Sequence, residues 1–360
     1  MKIAQISLTY KPILGGQEVY IDELQGVMRR AGWEPRVFQR NNGLKDPEIS
    51  LVSYPKQMRP VMGFNFGLLG QFAKLRTYDR IIVHYPDHFP TVAWHPHSIV
   101  LTHGVNWELD GERKRARRVQ LASYALRKAK QFVANDTHFY RTMGIEIPPA
   151  TAFFQEVAPG KWFIPNCVDT NVFTRITPRS EFKKEKIIVV PRNITPARGV
   201  DLAVAAFALF AKNHPDSKLL IVGDALPNPE SQNYKKTIEH TIKTENLGDR
   251  IVFYGSVAHN LMPEIFSSAI MTLIPTRANE GTALSALESM ACATPTIVTA
   301  VAGLKDLPAQ QAEPTAESIA EHMEDVLLHP TLGSEQCAIV RSSFSLDQWA
   351  QGWETVIRNG

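Results

Sequence analysis

The sequence predicts an α/β protein built from two doubly wound domains. Three observations carry that reading. Strand-like runs alternate with helical ones from end to end, the pattern of parallel sheets with crossover helices. The 360 residues are enough for two cores of ordinary size. One stretch near the middle, 174–186, is polar and without period, which makes it the linker. The domains are therefore expected at 1–173 and 187–342, with a helical tail at 343–360 that packs back on the first domain.

In the first half, buried-strand patterns fall at 2–7, 35–39, 80–84, 99–102 and 131–134, with an amphipathic helix at 18–31. In the second half they fall at 186–191, 218–222, 250–254, 271–275 and 296–299. Helices are expected there at 200–213, 233–245, 282–292 and 316–327. The tail begins at a plausible cap, Ser345, and places Trp349 and Trp353 on one helical face. Two such domains facing one another would bring the carboxyl ends of both sheets to a shared cleft, where ligands bind in doubly wound folds.

Composition narrows the function. A net charge of +3 is too small to imply a nucleic-acid partner. Cys167, Cys292 and Cys337 are scattered, giving neither a zinc spacing nor a disulfide framework, and the expected compartment is the reducing cytoplasm. The first residues alternate like a strand and lack a signal-peptide core. No run approaches the ~20 apolar residues of a membrane span, so a soluble protein is expected, at most peripheral to the inner face of a membrane.

The strongest chemical signal is a pair of glutamates. Glu280 lies in the loop after the strand 271–275, and Glu288 lies about two turns into the following helix, among Leu284, Leu287, Met290 and Ala291. A carboxylate among apolar side chains is costly unless something polar meets it. The helix start beside it, Gly281-Thr282-Ala283, offers free N–H groups and a positive dipole end that suit a phosphate. Arg192 and Arg198 bracket the strand–helix turn before Gly199, where two guanidiniums can grip a diphosphate. Gly15 and Gly16 open the first amphipathic helix and admit a ligand close to the backbone, although this is neither a dinucleotide fingerprint nor a P-loop.

Two further stretches call for a reading. Histidines crowd 84–103: His84, His88, His95, His97 and His103. No carboxylate or cysteine completes a ligand set with them, so no metal is expected, and His103 at a strand end is the one facing the expected cleft. From Glu112 to Lys130 eight basic residues (Arg113, Lys114, Arg115, Arg117, Arg118, Arg127, Lys128, Lys130) stand against one acid. With the apolar run 61–72 they offer peripheral membrane contact with anionic lipid or a lipid-linked acceptor. Such runs otherwise serve as a solvated helix face and as core.

Taken together these motifs resemble glycosyltransferase family 4, retaining nucleotide-sugar transferases of the GT-B fold, in which two Rossmann-like domains face a central cleft. The resemblance covers nearly the whole chain. It rests on Gly15-Gly16-Gln17-Glu18, the stretch from Ile164 to Asp169 ahead of Phe173, and Arg192…Arg198-Gly199. It continues through 219–224, 252–255 and Glu280…Glu288 to Ala291. It implies that Arg192 and Arg198 neutralise a donor diphosphate, helped by the backbone at Gly16 and at Gly281, Thr282 and Ala283. It assigns the sugar's hydroxyls to Glu280, the ribose to Glu288 and the base to the stretch from Gly255 to Val257. His103 would meet the sugar near the reacting centre. No metal or cofactor is implied, since arginines and helix ends take over charge neutralisation.

The chain also departs from the family pattern. Arg198 stands where lysine is usual, and Asp306 near a position commonly Glu. Pro191, Cys167, Ala293 and Ala302 stand where glycine is frequent, so any of these backbones that needs a positive φ must reach it without glycine.

The implied function is transfer, with retained configuration, of a hexosyl-type group from a nucleoside diphosphate sugar to a glycan, lipid-linked or small-molecule acceptor. UDP is favoured over GDP-mannose. A phosphorylase or epimerase on the same fold is the alternative within enzymes, and a sugar-nucleotide-binding protein that no longer transfers is the alternative outside them.

Overall fold

The computed structural model describes residues 1–13, 15–105, 107–108, 110–147, 154–177, 186–278 and 280–360. Residues 178–185 of the expected linker lie outside that set. By its internal contacts the chain divides into two units, one of 1–166 with 347–360 and the other of 167–346.

The first unit holds an eight-stranded sheet. Its strands are β1 (Lys2–Ile6), β2 (Glu34–Arg40), β3 (Ile49–Val52), β4 (Arg80–Val83), β5 (Ser98–Thr102), β6 (Gln131–Ala134), β7 (Gln155–Ala158) and β8 (Lys161–Phe163). They are ordered β3-β2-β1-β4-β5-β6-β8-β7, and every pairing is parallel except β7 with β8. β5 and β6 are buried along their whole length and β4 from Ile81 onwards, as in sheets covered on both faces, which is why they read as largely apolar runs. The direction of winding reverses between β1 and β4, so residues beyond their carboxyl ends sit at the topological switch point.

The helix Leu346–Asn359 belongs to this unit from Asp347 onwards. Trp349 and Trp353 are fully buried, as the i, i+4 spacing requires of one packed face. Trp353 donates its indole N–H to the Tyr20 hydroxyl at 2.8 Å. Tyr20 in turn lies edge-on to Trp349 and to His103. Carbonyls at the end of this helix are met by Arg80 and Gln131, so its last turn is satisfied by side chains of the sheet.

The second unit holds a six-stranded, wholly parallel sheet. Its strands are β9 (Lys186–Val190), β10 (Ser217–Val222), β11 (Ile251–Gly255), β12 (Ala269–Ile274), β13 (Thr296–Thr299) and β14 (Gln310–Ala312). The order is β11-β10-β9-β12-β13-β14, with the switch point between β9 and β12. The helices Val200–Phe210 and Ala316–Leu328 cover it, and Phe207, Phe210, Ile319 and Met323 fill the layer between them and the strands.

One helix start shifts by two residues. The helix after β12 begins at Leu284 rather than 282, because Ala283 is extended and serves as its cap. Glu288 consequently lies one turn into the helix, not two. Among the described residues no helix is long and apolar enough to cross a membrane. His95 meets the Tyr78 carbonyl and His97 the Gly360 carbonyl.

Candidate active site

In the second unit the candidate residues gather beyond the carboxyl ends of β9 and β12. Arg192 follows β9 by two residues, and Arg198 ends a short 3-10 turn, Pro196–Arg198, ahead of the helix Val200–Phe210. Arg198 thus sits at the N-terminal end of that helix, just ahead of its cap Gly199. Two glycines make this geometry. Gly199 has φ +63, and a Cβ on it would stand 1.8 Å from the Pro275 carbonyl oxygen. Gly223 has φ +139, and a Cβ there would meet the Arg192 carbonyl oxygen at 2.4 Å. Only glycine allows the backbone of the arginine turn to touch the strands on either side of it. Arg277 ties the same turn to the loop after β12, through its N–H to the Ala197 carbonyl and its guanidinium to Asp201.

The loop after β12 brings Glu280 to the arginines. Arg192 and Arg198 both contact Oε2 of Glu280, and Arg192 also donates to the Thr276 hydroxyl. The loop is anchored by the Gly303 N–H on the Glu280 carbonyl at 2.8 Å and by the Thr299 hydroxyl on the Thr276 carbonyl. One carboxylate therefore faces two cations. Burial holds the Arg192 guanidinium below its ordinary range, and the charge of Arg192, more than burial, does the same to Arg198. The Nε of Arg192 is buried and meets no acceptor among the described residues. An unmet buried donor beside a net positive pair is a strong invitation to an anion.

A cavity of about 260 Å³ opens on this cluster, and its lining includes Arg192, Arg198, Gly223, Val257, Ser285 and Glu288. Gly255 has φ +76, and its carbonyl accepts the Gly223 N–H at 2.9 Å. Glu288 is buried, and its Oε1 lies 2.7 Å from Nε2 of His259. The His259 ring also lies against Phe173, with centroids 5.1 Å apart. His259 is the residue that the sequence reading missed. It lies two residues past Val257, but a lone histidine in a polar turn carries no pattern, and only its contact with Glu288 distinguishes it. Gly281 is partly exposed and Thr282 and Ala283 are buried, at the start of the helix that carries Glu288.

The candidates of the first unit form a separate set. Gly15 caps the helix Gly16–Arg30 in an extended conformation, and Glu18 bends back so that its carboxylate accepts from the Thr9 hydroxyl at 2.7 Å. His103 follows β5. Its Nε2 lies 3.3 Å from Nδ1 of His84, whose Nε2 lies 2.7 Å from Oε1 of Gln5. The Gln5 carbonyl can only accept, so His84 carries its proton on Nε2 and accepts at Nδ1. His103 must then donate from Nε2, which leaves its Nδ1 as an acceptor. Burial pulls the His103 pKa down to about 3, and burial with the neighbouring His103 keeps His84 well below the usual range, so both rings are neutral.

Of the four positions where glycine was expected, two have a left-handed backbone. Ala293 has φ 54 and Ala302 has φ 44, whereas Pro191 and Cys167 are not among the positive-φ residues.

Comparisons with known proteins agree with this architecture. Residues 173–339 match the family model of glycosyl transferases group 1. Mannosylfructose-phosphate synthase from Agrobacterium fabrum is 30% identical over 149 residues, 39% of this chain and 33% of that protein. The chain thus spans about a third of that relative's length. Among solved structures, sucrose-phosphate synthase from Thermosynechococcus elongatus superposes with a TM-score of 0.82 at 20% identity, over 99% of this chain and 98% of the other. Anabaena Alr3699/HepE, solved in complex with UDP-glucose, superposes with a TM-score of 0.78 at 17% identity, over 100% of both chains. The fold is GT-B, and the resemblance to glycosyltransferases read from the motifs is found again in the family model.

Proposed function

We propose that this chain is a retaining glycosyltransferase. It moves a hexosyl-type group from a nucleoside diphosphate sugar to a glycan, lipid-linked or small-molecule acceptor. The observation that carries the reading is the convergence of Arg192 and Arg198 on Glu280 beside a cavity shared with Glu288. A uracil donor is put ahead of GDP-mannose because a protein of the same fold, Alr3699/HepE, holds UDP-glucose.

In this reaction the bond between the anomeric carbon and the diphosphate oxygen breaks. The acceptor oxygen bonds to the same carbon on the same face, and its proton passes to a departing phosphate oxygen. The chain's task is to position the reactants and to stabilise charge on the leaving group. Arg192 and Arg198 hold the diphosphate, aided by N–H groups at Gly281, Thr282 and Ala283. Glu280, displaced from the guanidiniums by the phosphates, turns to the hydroxyls of the sugar. Glu288 takes the ribose, and the stretch from Gly255 to Val257 takes the base. Two guanidiniums supply the positive charge, so turnover is expected to persist in a chelator.

A thermal-shift titration with UDP, GDP, UDP-glucose, UDP-N-acetylglucosamine and GDP-mannose, in chelator, tests the donor half. Saturation at ~100 times the dissociation constant should add about 2.7 kcal/mol of stability. The shift should be lost or weakened in Glu288→Ala. Proton NMR of the product's anomeric centre tests the rest: an inverted linkage overturns the retaining mechanism, and no shift with any nucleotide overturns the site.

A further inference from the structure

The helix Pro60–Leu69 carries no charged residue. Two glycines press one side of it onto the chain beneath. A Cβ on Gly63 would stand 2.2 Å from the Tyr54 ring, and one on Gly67 2.6 Å from the Ser53 carbonyl oxygen. Phe64 and Leu68 are buried on that side, and Asn65 is held by the Asp87 carbonyl and by His88. The helix is therefore a fixed part of the first unit.

Its other side is Met62, Phe66 and Leu69, spaced four and three residues apart and 51%, 58% and 57% exposed. Past the helix end the row continues with Phe72, 43% exposed, whose ring centroid lies 4.5 Å from that of Trp94, 38% exposed. Three of these side chains share one helical face and the other two form a ring pair just past its end, more apolar exposure than the scattered single residues a monomer ordinarily shows.

Along the segment 49–78 the charge has one sign, and Asp87, in the turn that the helix packs on, is half-buried. Between Glu48 and Asp79 the sequence contains no acidic residue but four cations, Lys56, Arg59, Lys74 and Arg76. Lys56, Arg59 and Arg76 are exposed with no carboxylate partner among the described residues, while the Lys74 ammonium donates to the Ser50 hydroxyl at 2.8 Å. The Arg76 guanidinium lies over the Phe72 ring, 5.7 Å from its centroid. The basic helix Glu112–Lys128 packs on the same turn, Pro86–Thr91, as the apolar helix does.

We infer that this face docks on the surface of an anionic lipid bilayer. An apolar row with an aromatic pair at one end inserts below the headgroups, and a rim of cations meets the anionic ones. A second copy of this chain is a poorer occupant, since a twofold contact would set one cationic rim against another. The inference goes beyond the transfer reaction and does not depend on it, because docking needs no donor.

Co-sedimentation of the full chain with phosphatidylglycerol or phosphatidylcholine vesicles, without nucleotide, tests it. The expected result is binding to the anionic vesicles that weakens between about 0.02 and about 0.5 M salt, as screening requires. The double variant Phe66→Ser/Leu69→Ser should lower the partition by at least about tenfold, with an unchanged melting curve because both side chains are exposed. Arg59→Glu/Arg76→Glu should weaken binding and flatten its salt dependence, while Leu328→Ser, an exposed leucine of the other unit, should leave it unchanged. Three results would overturn the inference: no binding to either vesicle, undiminished binding by the Phe66/Leu69 variant, or concentration-dependent dimerisation that the same variant abolishes.

Discussion

Nε2 of His259 stands 2.7 Å from Oε1 of Glu288. The glutamate is buried and the histidine is largely exposed, so the pair holds a carboxylate at the wall of the cavity with one oxygen already met. If Glu288 receives ribose hydroxyls, the other oxygen is the available acceptor, and His259 acts by fixing the carboxylate. Glu288→Ala should weaken UDP binding by roughly 1.5–3 kcal/mol, the range for hydrogen bonds to a charged group. His259→Ala should cost less, about 0.5–1.5 kcal/mol. Isothermal titration with UDP compares the two. A histidine variant that loses as much as the glutamate variant would mean that His259 touches the nucleotide itself.

The Arg192, Arg198 and Glu280 cluster makes a prediction of opposite sign. In the free protein Glu280 occupies the place between the guanidiniums where an anion would lie. Removing its charge leaves the buried Arg192 facing the half-exposed Arg198 with no counter-charge, which destabilises the unliganded protein by about 1–3 kcal/mol once solvent screening at Arg198 is allowed for. The same change removes a competitor for the phosphates. Glu280→Gln should therefore bind UDP at least as tightly as the native chain while losing turnover, and the nucleotide should restore most of its melting temperature. Arg192→Met should instead lose UDP affinity. If Glu280→Gln loses nucleotide binding in step with Arg192→Met, the cluster is a structural ion network.

Much of this arrangement is legible in the sequence because the relevant signals are local. Strands such as β9 and β12 are short apolar runs closed by proline, and the arginines and glutamates beyond them are out of place as structural residues. The unread strands are all at sheet edges or next to them. Ile49–Val52 is four residues long and interrupted by a serine, Gln310–Ala312 is nearly all polar, and Gln155–Ala158 with Lys161–Phe163 form a small hairpin. Edge strands need no continuous apolar run, so periodicity does not find them. Likewise the helices Pro60–Leu69 and Glu112–Lys128 present themselves as an apolar run and a charge run, since each packs on one narrow side only.

Acid stability should be governed in part by buried histidines. His88 is buried against Phe64, with Nδ1 2.6 Å from the Asn65 side-chain oxygen, and burial pulls its pKa down to about 4. In the unfolded chain the same ring titrates near 6.5. Between about pH 4 and 6.5 the unfolded state thus binds more protons than the folded one, and stability rises with pH across that window. The contribution is fully present above about 6.5 and is lost as pH falls, by roughly 3 kcal/mol for His88. His103, with a pKa of about 3, extends the loss in the same direction. Melting temperatures between pH 4 and 7 should fall on acidification, and His88→Gln should flatten the curve. An equally steep curve in that variant would assign the acid sensitivity elsewhere.

The left-handed alanine offers a stabilising substitution. Ala293 follows the cap of the helix Leu284–Ala291, at the position where helices commonly end in glycine. Its conformation is imposed from two sides. The Ala293 and Thr294 N–H groups close on the Met290 and Ser289 carbonyls, and the Ala293 carbonyl packs so closely on Gly333 that a Cβ there would approach within 2.5 Å. A left-handed alanine costs roughly 1–2 kcal/mol, whereas glycine costs only about 0.4–1 kcal/mol of extra chain entropy. Ala293→Gly should therefore gain about 0.5–1 kcal/mol, or roughly 2–4 °C per kcal/mol in melting temperature for a unit of this size. Gly333→Ala should be severely destabilising for the converse reason. A lower melting temperature for Ala293→Gly would mean that packing of the alanine methyl outweighs the backbone strain, and the departure from glycine at this position would then be a gain in packing rather than a tolerated cost.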